Sequence, residues 1–332
     1  MKKIFVILVL ITSCSLFAQQ AEISSISSMP GAFSRMGFGA RGIGMGNAMS
    51  SVTEGNVVSY YNPALSVFQQ NNSVQASYSF LSLDRKLNFL NFTRKFELRS
   101  KRDSAGAEPR GIAGISLGII NSGVSNIDGR DNQGLKTGEL STSENQFFLS
   151  FANRFSKKLA LGLAVKFYYY KLYEKMTTNG LGFDLGAIYS VNDNIHFSIM
   201  LSDLNSKYKW DSKDVRGEQG KTTEDKFPLL KKFGVSYRFD DPRLIASLEF
   251  ENSNAETNIV RFGAEYNIYD GLFLRGGLDK WNLSNKDFPP RPSLGFSFFK
   301  NYSNSVIGFD YAFVVEPYSS SNQHILGLNF NF

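Results

Sequence analysis

Thiol chemistry is almost absent from this chain: its 332 residues include one cysteine, Cys14. Disulfides and thiol catalysis are therefore excluded from everything downstream of it. Histidine is nearly as scarce. His196 and His324 are the only two, and two imidazoles do not make a metal site by themselves. Beyond the N-terminus no apolar run approaches the roughly 20 residues that a membrane-spanning helix needs. Neither sign of charge dominates, with 36 Lys and Arg against 30 Asp and Glu. The basic residues are scattered, which gives no footprint for a nucleic-acid partner.

What is present begins with a leader. Lys2 and Lys3 precede the unbroken apolar run Ile4 to Ile11, and small and polar residues follow up to Ala18. This is the pattern of a bacterial secretory signal, cleaved after Ala18. Ile11-Thr12-Ser13-Cys14 loosely fits a lipoprotein cleavage box, but Ser15-Leu16-Phe17-Ala18 continues as an ordinary signal peptide. An exported chain without a membrane helix can reside in a membrane only through strands.

Aromatics are abundant, with 30 Phe and 15 Tyr, and from Val74 onward they are sorted by a period of two. In Leu159–Tyr170 the odd positions are Leu159, Leu161, Leu163, Val165, Phe167 and Tyr169. The even positions are Ala160, Gly162, Ala164, Lys166, Tyr168 and Tyr170. A strand separates these two sets onto opposite faces, whereas a helix scatters them. About 14 such segments follow one another, at 73–82, 87–97, 111–121, 145–155, 159–173, 181–191, 195–203, 231–239, 243–251, 257–268, 272–280, 291–300, 305–315 and 323–332. The second fits neither phase throughout and is expected to carry a bulge.

The connections alternate as well. Short turns at 156–158, 192–194, 240–242, 269–271 and 301–304 are interleaved with long polar stretches at 122–144, 174–180, 204–230, 281–290 and 316–322. Bacterial membrane barrels have short periplasmic turns, long outer loops and an even strand number. The stretch 98–110 is the misfit, long where a periplasmic turn is expected. The final strand places Leu326, Leu328, Phe330 and Phe332 on one face. The terminal Phe332 resembles the signal that such barrels present to their assembly machinery. A soluble β-sandwich would also use this alternation, but here the second face carries small residues and mid-strand charges: Lys166, Asp184, Arg238, Glu249, Arg261, Glu265, Arg275 and Asp310. Those suit a crowded, wet lumen. The expectation is an all-β, transmembrane antiparallel β-barrel of about 14 strands in the outer membrane of a Gram-negative bacterium, in contact with outer-membrane lipid.

Residues 19–72 differ from the rest, being rich in Gly, Ser, Met and Asn. Gly39-Ala40-Arg41-Gly42-Ile43-Gly44-Met45-Gly46-Asn47-Ala48 is followed by Val58-Ser59-Tyr60-Tyr61-Asn62-Pro63-Ala64-Leu65. With the strand motifs Leu161–Lys166, Gly182–Tyr189 and Gly234–Phe239, this arrangement resembles the FadL-type outer-membrane proteins, and within them the PorV/PorQ branch. The resemblance covers nearly the whole mature chain. It implies that residues 19–72 fold into the lumen of the 73–332 barrel as a plug after removal of the signal peptide at 1–18. It also implies a hydrophobic ligand such as a long-chain fatty acid, released through the wall, or, for PorV-type proteins, exported cargo of the type IX secretion system. Glycine permits the tight turns and close approach that a narrow lumen demands, and Pro63 fixes a turn after Asn62. Candidate plug and ligand residues are Gly42, Gly44, Met45, Gly46, Asn47, Asn62, Pro63 and Ala64. Candidate lumen charges are Lys166, Asp184, Arg261, Glu265 and Arg275.

Other motifs are set aside. Gly37-Phe38-Gly39-Ala40-Arg41-Gly42 fits G-x-G-x-x-G, but no buried strand precedes it and no βαβ pattern surrounds it. The acids of 204–230 are interleaved with lysines and Arg216 and lack the spacing of a calcium loop. A Ser–His324 pair lacks a third group to orient it. The sequence thus points to no catalytic residue, metal or cofactor. Three readings of function remain: a hydrophobic-solute channel, a secretion component that binds exported proteins, and a structural or adhesive surface barrel.

Overall fold

A computed structural model describes residues 25–99, 109–173 and 175–332. The leader with Cys14, and most of the 98–110 misfit, lie outside these residues. The strands are β1 Ser73–Phe80, β2 Arg85–Leu98, β3 Gly111–Arg130, β4 Lys136–Arg154, β5 Leu159–Tyr173, β6 Met176–Ser190, β7 Ile195–Leu204, β8 Lys207–Asp211, β9 Thr222–Lys226, β10 Leu230–Phe239, β11 Leu244–Ser253, β12 Asn258–Tyr269, β13 Leu272–Asn282, β14 Arg291–Tyr302, β15 Ser305–Val314 and β16 Gln323–Asn331. All but β8 and β9 form one closed antiparallel ring of 14 strands, and β8 and β9 pair with each other as a separate hairpin.

Closure follows from the solvent. In hydrocarbon no water satisfies a free backbone N–H or C=O, so a sheet must have no edge. The ring is sealed by β1 against β16 in unbroken register from Ser73↔Asn331 to Phe80↔His324. Two further bonds join Asn72 and the terminal Phe332 backbone in both directions, at 3.1 and 3.0 Å.

The two faces of β5 are sorted as the period of two requires. Leu161, Leu163, Val165, Phe167 and Tyr169 are exposed, while Ala160, Ala164, Lys166 and Tyr168 are buried. The exposed face is the one that meets lipid. Paired rings sit on that outer surface near the strand ends, with Tyr237–Phe239 centroids 4.4 Å apart and Phe330–Phe332 5.3 Å apart, as aromatic girdles do at bilayer interfaces.

Four expectations are corrected. Strand β2 has no bulge, since its register runs continuously against both β1 and β3. Its alternation is blurred because both faces meet apolar surroundings: Leu87 and Phe89 are buried inside the ring, while Leu90 is exposed outside. The stretch 122–144 is mostly strand, because β3 and β4 continue pairing to Arg130↔Lys136 as a long ribbon. The stretch 174–180 is likewise mostly strand, and 204–230 contains the β8–β9 hairpin and a helical turn, Lys213–Arg216. Polar composition was misread as loop, whereas a two-stranded ribbon in water needs no apolar face.

True bulges occur elsewhere. Pairing of β6 with β7 shifts between Phe183 and Leu185, beside Asp203. Pairing of β12 with β13 shifts between Val260 and Phe262, beside Lys280. Asp203 has φ 64° and Lys280 φ 57°, a left-handed conformation uncommon for side chains with a Cβ.

Candidate functional site

Residues 31–69 lie almost wholly buried inside the ring. They contain the short helix α1, Gly39–Gly44, and a 3-10 segment, Pro63–Phe68. Asn62 caps the latter by accepting from the Ala64 N–H at 3.0 Å, with Pro63 at the first turn, the position where a missing N–H does no harm. The Asn62 amide also donates to Ser50 O and to Ala187 O on β6, at 3.2 and 3.3 Å. One residue thus shapes the inner segment and ties it to the wall.

Close approach explains the glycines. A Cβ on Gly277 of β13 would lie 2.1 Å from the Gly46 backbone nitrogen, and one on Gly162 of β5 would lie 2.4 Å from the Ala64 nitrogen. The Phe38 ring packs on Phe89 and Phe148 of the wall, at centroid distances of 4.8 and 6.0 Å. Burying one such ring contributes about 2–3 kcal/mol. The Tyr61 hydroxyl donates within the segment and accepts from the Phe38 N–H at 2.9 Å. Burial pushes the phenols of Tyr60 and Tyr61 above their ordinary pKa, so both stay neutral.

The lumen charges are assembled into three clusters, not dispersed in water. Glu265 on β12 accepts from Arg41 of α1 twice, at 2.9 and 2.7 Å, and from Arg275 of β13 at 2.5 Å. Arg275 reaches Ser297 and Asp310 on β14 and β15, and Asn329 donates to Asp310 at 2.7 Å. Burial works against the Arg41 charge, but Glu265 beside it outweighs burial and holds the guanidinium above its ordinary pKa.

In the second cluster Arg261 bridges Glu249, Glu251 and Asp279 at 3.2, 3.1 and 2.8 Å. Asn47 donates to Asp279 at 3.0 Å. In the third, Lys166 pairs with Asp184 at 2.7 Å and with Asp203 at 3.1 Å. The β7 bulge turns Ser202 and Asp203 inward together, and both are buried.

At the short-turn end, Glu54 of the inner segment stands 3.7 Å from His196 and 3.8 Å from Arg238. Burial pushes the Glu54 carboxyl up, but His196 and then Arg238 outweigh it and hold the group below its ordinary pKa.

Above the inner segment, at the end carrying the long connections, the ring surrounds an open cavity of about 590 Å³. Its floor includes Phe33, Arg35 and Met36, and its walls include Leu81, Ile259 and Phe288. That volume falls within the roughly 300–1,000 Å³ of small-molecule sites. A space of about 20 Å³ lies beneath it, and the two share Arg35, Glu251 and Arg261.

The expected ligand residues are placed differently. Gly42, Gly44, Met45, Gly46, Asn47, Asn62, Pro63 and Ala64 are all buried, but none lines the cavity. They pack the inner segment against itself and the wall, and the floor comes from residues 26–36 upstream. Lys166 and Asp184 meet in one cluster, Glu265 and Arg275 in another, and Arg261 centres the third. Sequence reasoning missed Arg41, Asp203, Asp279 and Lys280. Arg41 was visible as the lone charge in Gly39–Ala48. The bulge at Lys280 was visible as a break of phase, since apolar residues fall at 272, 274, 276 and 278 with Gly276 among them, and then at 281 and 283.

No family model matches the chain, and no curated protein matches it in sequence. Solved structures do match in shape. A TodX deltaS2S3 mutant, described as a monoaromatic hydrocarbon channel, aligns with TM-score 0.57 and 14% identity over 89% of this chain and 97% of that one. The P. putida toluene transporter TodX gives TM-score 0.55 and 12% identity over 89% and 99%. A Pseudomonas aeruginosa FadL homologue gives TM-score 0.51 and 11% identity over 89% and 98%. The chain has the FadL- and TodX-type outer-membrane barrel fold. These structures are described as a channel, a transporter and a FadL homologue.

Proposed function

We propose that this barrel admits hydrophobic solutes across the outer membrane, with residues 31–69 acting as the plug. The observation that carries the reading is the cavity at the long-connection end, predominantly apolar in its exposed lining and floored by that inner segment. A rigid stopper without a cavity would support only a structural role. Solute enters the cavity from outside, contacts Phe33 and Met36 on the floor, and moves on when the inner segment shifts from its wall contacts. The similarity in fold to structures described as a toluene transporter and a monoaromatic hydrocarbon channel supports this direction of thought.

Deleting residues 31–65 tests it. Planar-bilayer conductance should rise several-fold, and uptake of toluene by proteoliposomes should lose saturation. Unchanged conductance overturns the plug.

A second reading keeps the PorV/PorQ resemblance: the barrel serves type IX secretion and receives exported proteins. It is favoured by the β3–β4 ribbon and the β8–β9 hairpin, whose residues are largely exposed and offer a protein-binding surface. Gentle extraction and mass spectrometry separate the two. Co-purifying secreted proteins that share a C-terminal domain support this second reading, whereas a hydrophobic small molecule without protein partners supports the first.

A further inference from the structure

Among the described residues, ionisable side chains facing the lumen mostly have direct partners, and two without one share a single cavity. Arg261, Arg291 and Glu251, which line it, each have an ion-pair partner. Arg35, on its floor, donates to the backbone oxygens of Pro30 and Met29. Glu144 on β4 and Lys280 on β13 also line it. Neither has a hydrogen bond or an ion pair within 4.0 Å among the described residues.

Lys280 is there by construction. The β12–β13 bulge puts Asp279 and Lys280 on the same side, and Trp281 resumes the outward phase. The β7 bulge uses the same device at Ser202 and Asp203, but there both residues find partners on Lys166 and Asp184. A bulge that re-aims a side chain, at a residue held in a left-handed conformation, marks a place where strain serves a site. Arg35 acts on Glu144, and Asp279 and Glu316 on Lys280, only from beyond ion-pair distance. A charged group in partly apolar surroundings without a direct contact is costly unless something arrives to make one.

Strands β4 and β13 stand seven places apart in the ring of 14, so Glu144 and Lys280 face each other from opposite walls. Fourteen strands spaced about 4.8 Å apart and tilted about 40° give a ring some 28 Å across, and two side chains reaching inward leave about 15 Å between the charges. The same cavity is lined by the apolar side chains of Phe33, Met36 and Ile259.

We propose that the cavity selects a bipolar amphiphile: an apolar chain with an acid group at one end, bound by Lys280, and a protonated amine at the other, bound by Glu144. This rests on the hydrophobic-solute reading and narrows it.

Calorimetry on the full chain in lipid nanodiscs, with four probes of one chain length, tests the proposal: 12-aminododecanoate, dodecanoate, dodecylamine and dodecan-1-ol. The expected result is at least tenfold tighter binding of 12-aminododecanoate than of any other probe. Glu144→Gln should weaken the two amines about tenfold and leave dodecanoate unchanged. Lys280→Met should weaken the two acids and leave dodecylamine unchanged. Equal binding of all four probes overturns the bipolar site while leaving the hydrophobic-solute reading intact. Binding of none overturns both. The comparison of probes on the unmodified chain decides the question even if a variant fails to fold.

Discussion

Substituting Glu265 is the sharpest test of whether the lumen charges are locked or solvated. Its carboxylate receives three N–H groups, two from Arg41 and one from Arg275, at 2.5–2.9 Å. Glu265→Gln keeps the shape and removes the charge. Two buried guanidiniums are then left with Asp310, 3.7 Å from Arg275, as the remaining carboxylate of the cluster. Breaking a buried pair from one side costs about 3–5 kcal/mol. With a urea dependence of about 2–3 kcal/mol per molar, the unfolding midpoint should fall by about 1–2 M. Trp210 and Trp281, the only two tryptophans, report the transition by fluorescence. The double variant Arg41→Met, Glu265→Gln should be milder than Glu265→Gln alone, because it removes one of the orphaned cations. An unfolding free energy for Glu265→Gln within about 0.5 kcal/mol of the original, or additive losses in the double variant, would show that water already solvates these charges and would refute the locked interior.

Further outcomes follow from the same geometry. Gly277→Ala places a methyl group against the Gly46 backbone and should cost about 1–3 kcal/mol through overpacking, with a rise in bilayer conductance as the inner segment is displaced. Gly276→Ala, whose methyl would meet only a Leu294 side-chain atom at 3.8 Å, is the control and should be silent in both assays. The depressed Glu54 pKa makes a signed prediction. Its contribution is fully present above the ordinary glutamate value of about 4.3 and is lost as pH falls through the lower folded value. Conductance should therefore be flat from pH 7 to 5 and rise below about 4, and Glu54→Gln should remove that dependence. Deleting Phe332 should lower the yield of assembled barrel, measured by heat-modifiable mobility, since its backbone bonds to Asn72 in both directions at the seam.

The barrel was legible because lipid imposes a rule that each strand obeys separately. Every strand must show hydrocarbon one face, so the period of two in Leu159–Tyr170 or Ile307–Phe313 can be read without knowing its neighbours. The blurred case, β2, is instructive. Leu87 and Phe89 break the alternation because they join the buried cluster around the inner segment, Phe89 directly against Phe38, which is a tertiary fact invisible from β2 alone. The same holds for the glycines. Gly162 reads as a small lumen residue, and only the folded chain shows that it, like Gly277, marks a point where the inner segment touches the wall.

The site was less legible because it depends on register more than on composition. Residues 42–64 attract attention by their Gly and Asn-Pro-Ala motifs, yet those motifs shape packing, and the cavity floor is made by the less distinctive Ile26–Met36. Lys280 shows the point most clearly. Read as one more polar residue at the end of an alternating strand, it belongs to the rim. Once the apolar positions are seen to move from Leu278 to Trp281, an inserted residue is required between them, and Asp279 and Lys280 must share a side. A phase break of this kind next to consecutive charged residues is a sequence-level signal for a bulge that aims a charge into a lumen. Asp203, between Leu201 and Leu204, gives the same signal in β7. In β7 the aimed charge completes an internal cluster, and in β13 it is left facing the cavity. The difference lies in what the neighbouring residues do: Lys166 and Asp184 stand beside Asp203, whereas beside Lys280 the cation Arg291 takes both nearby carboxylates, Asp279 and Glu316, as its own ion-pair partners.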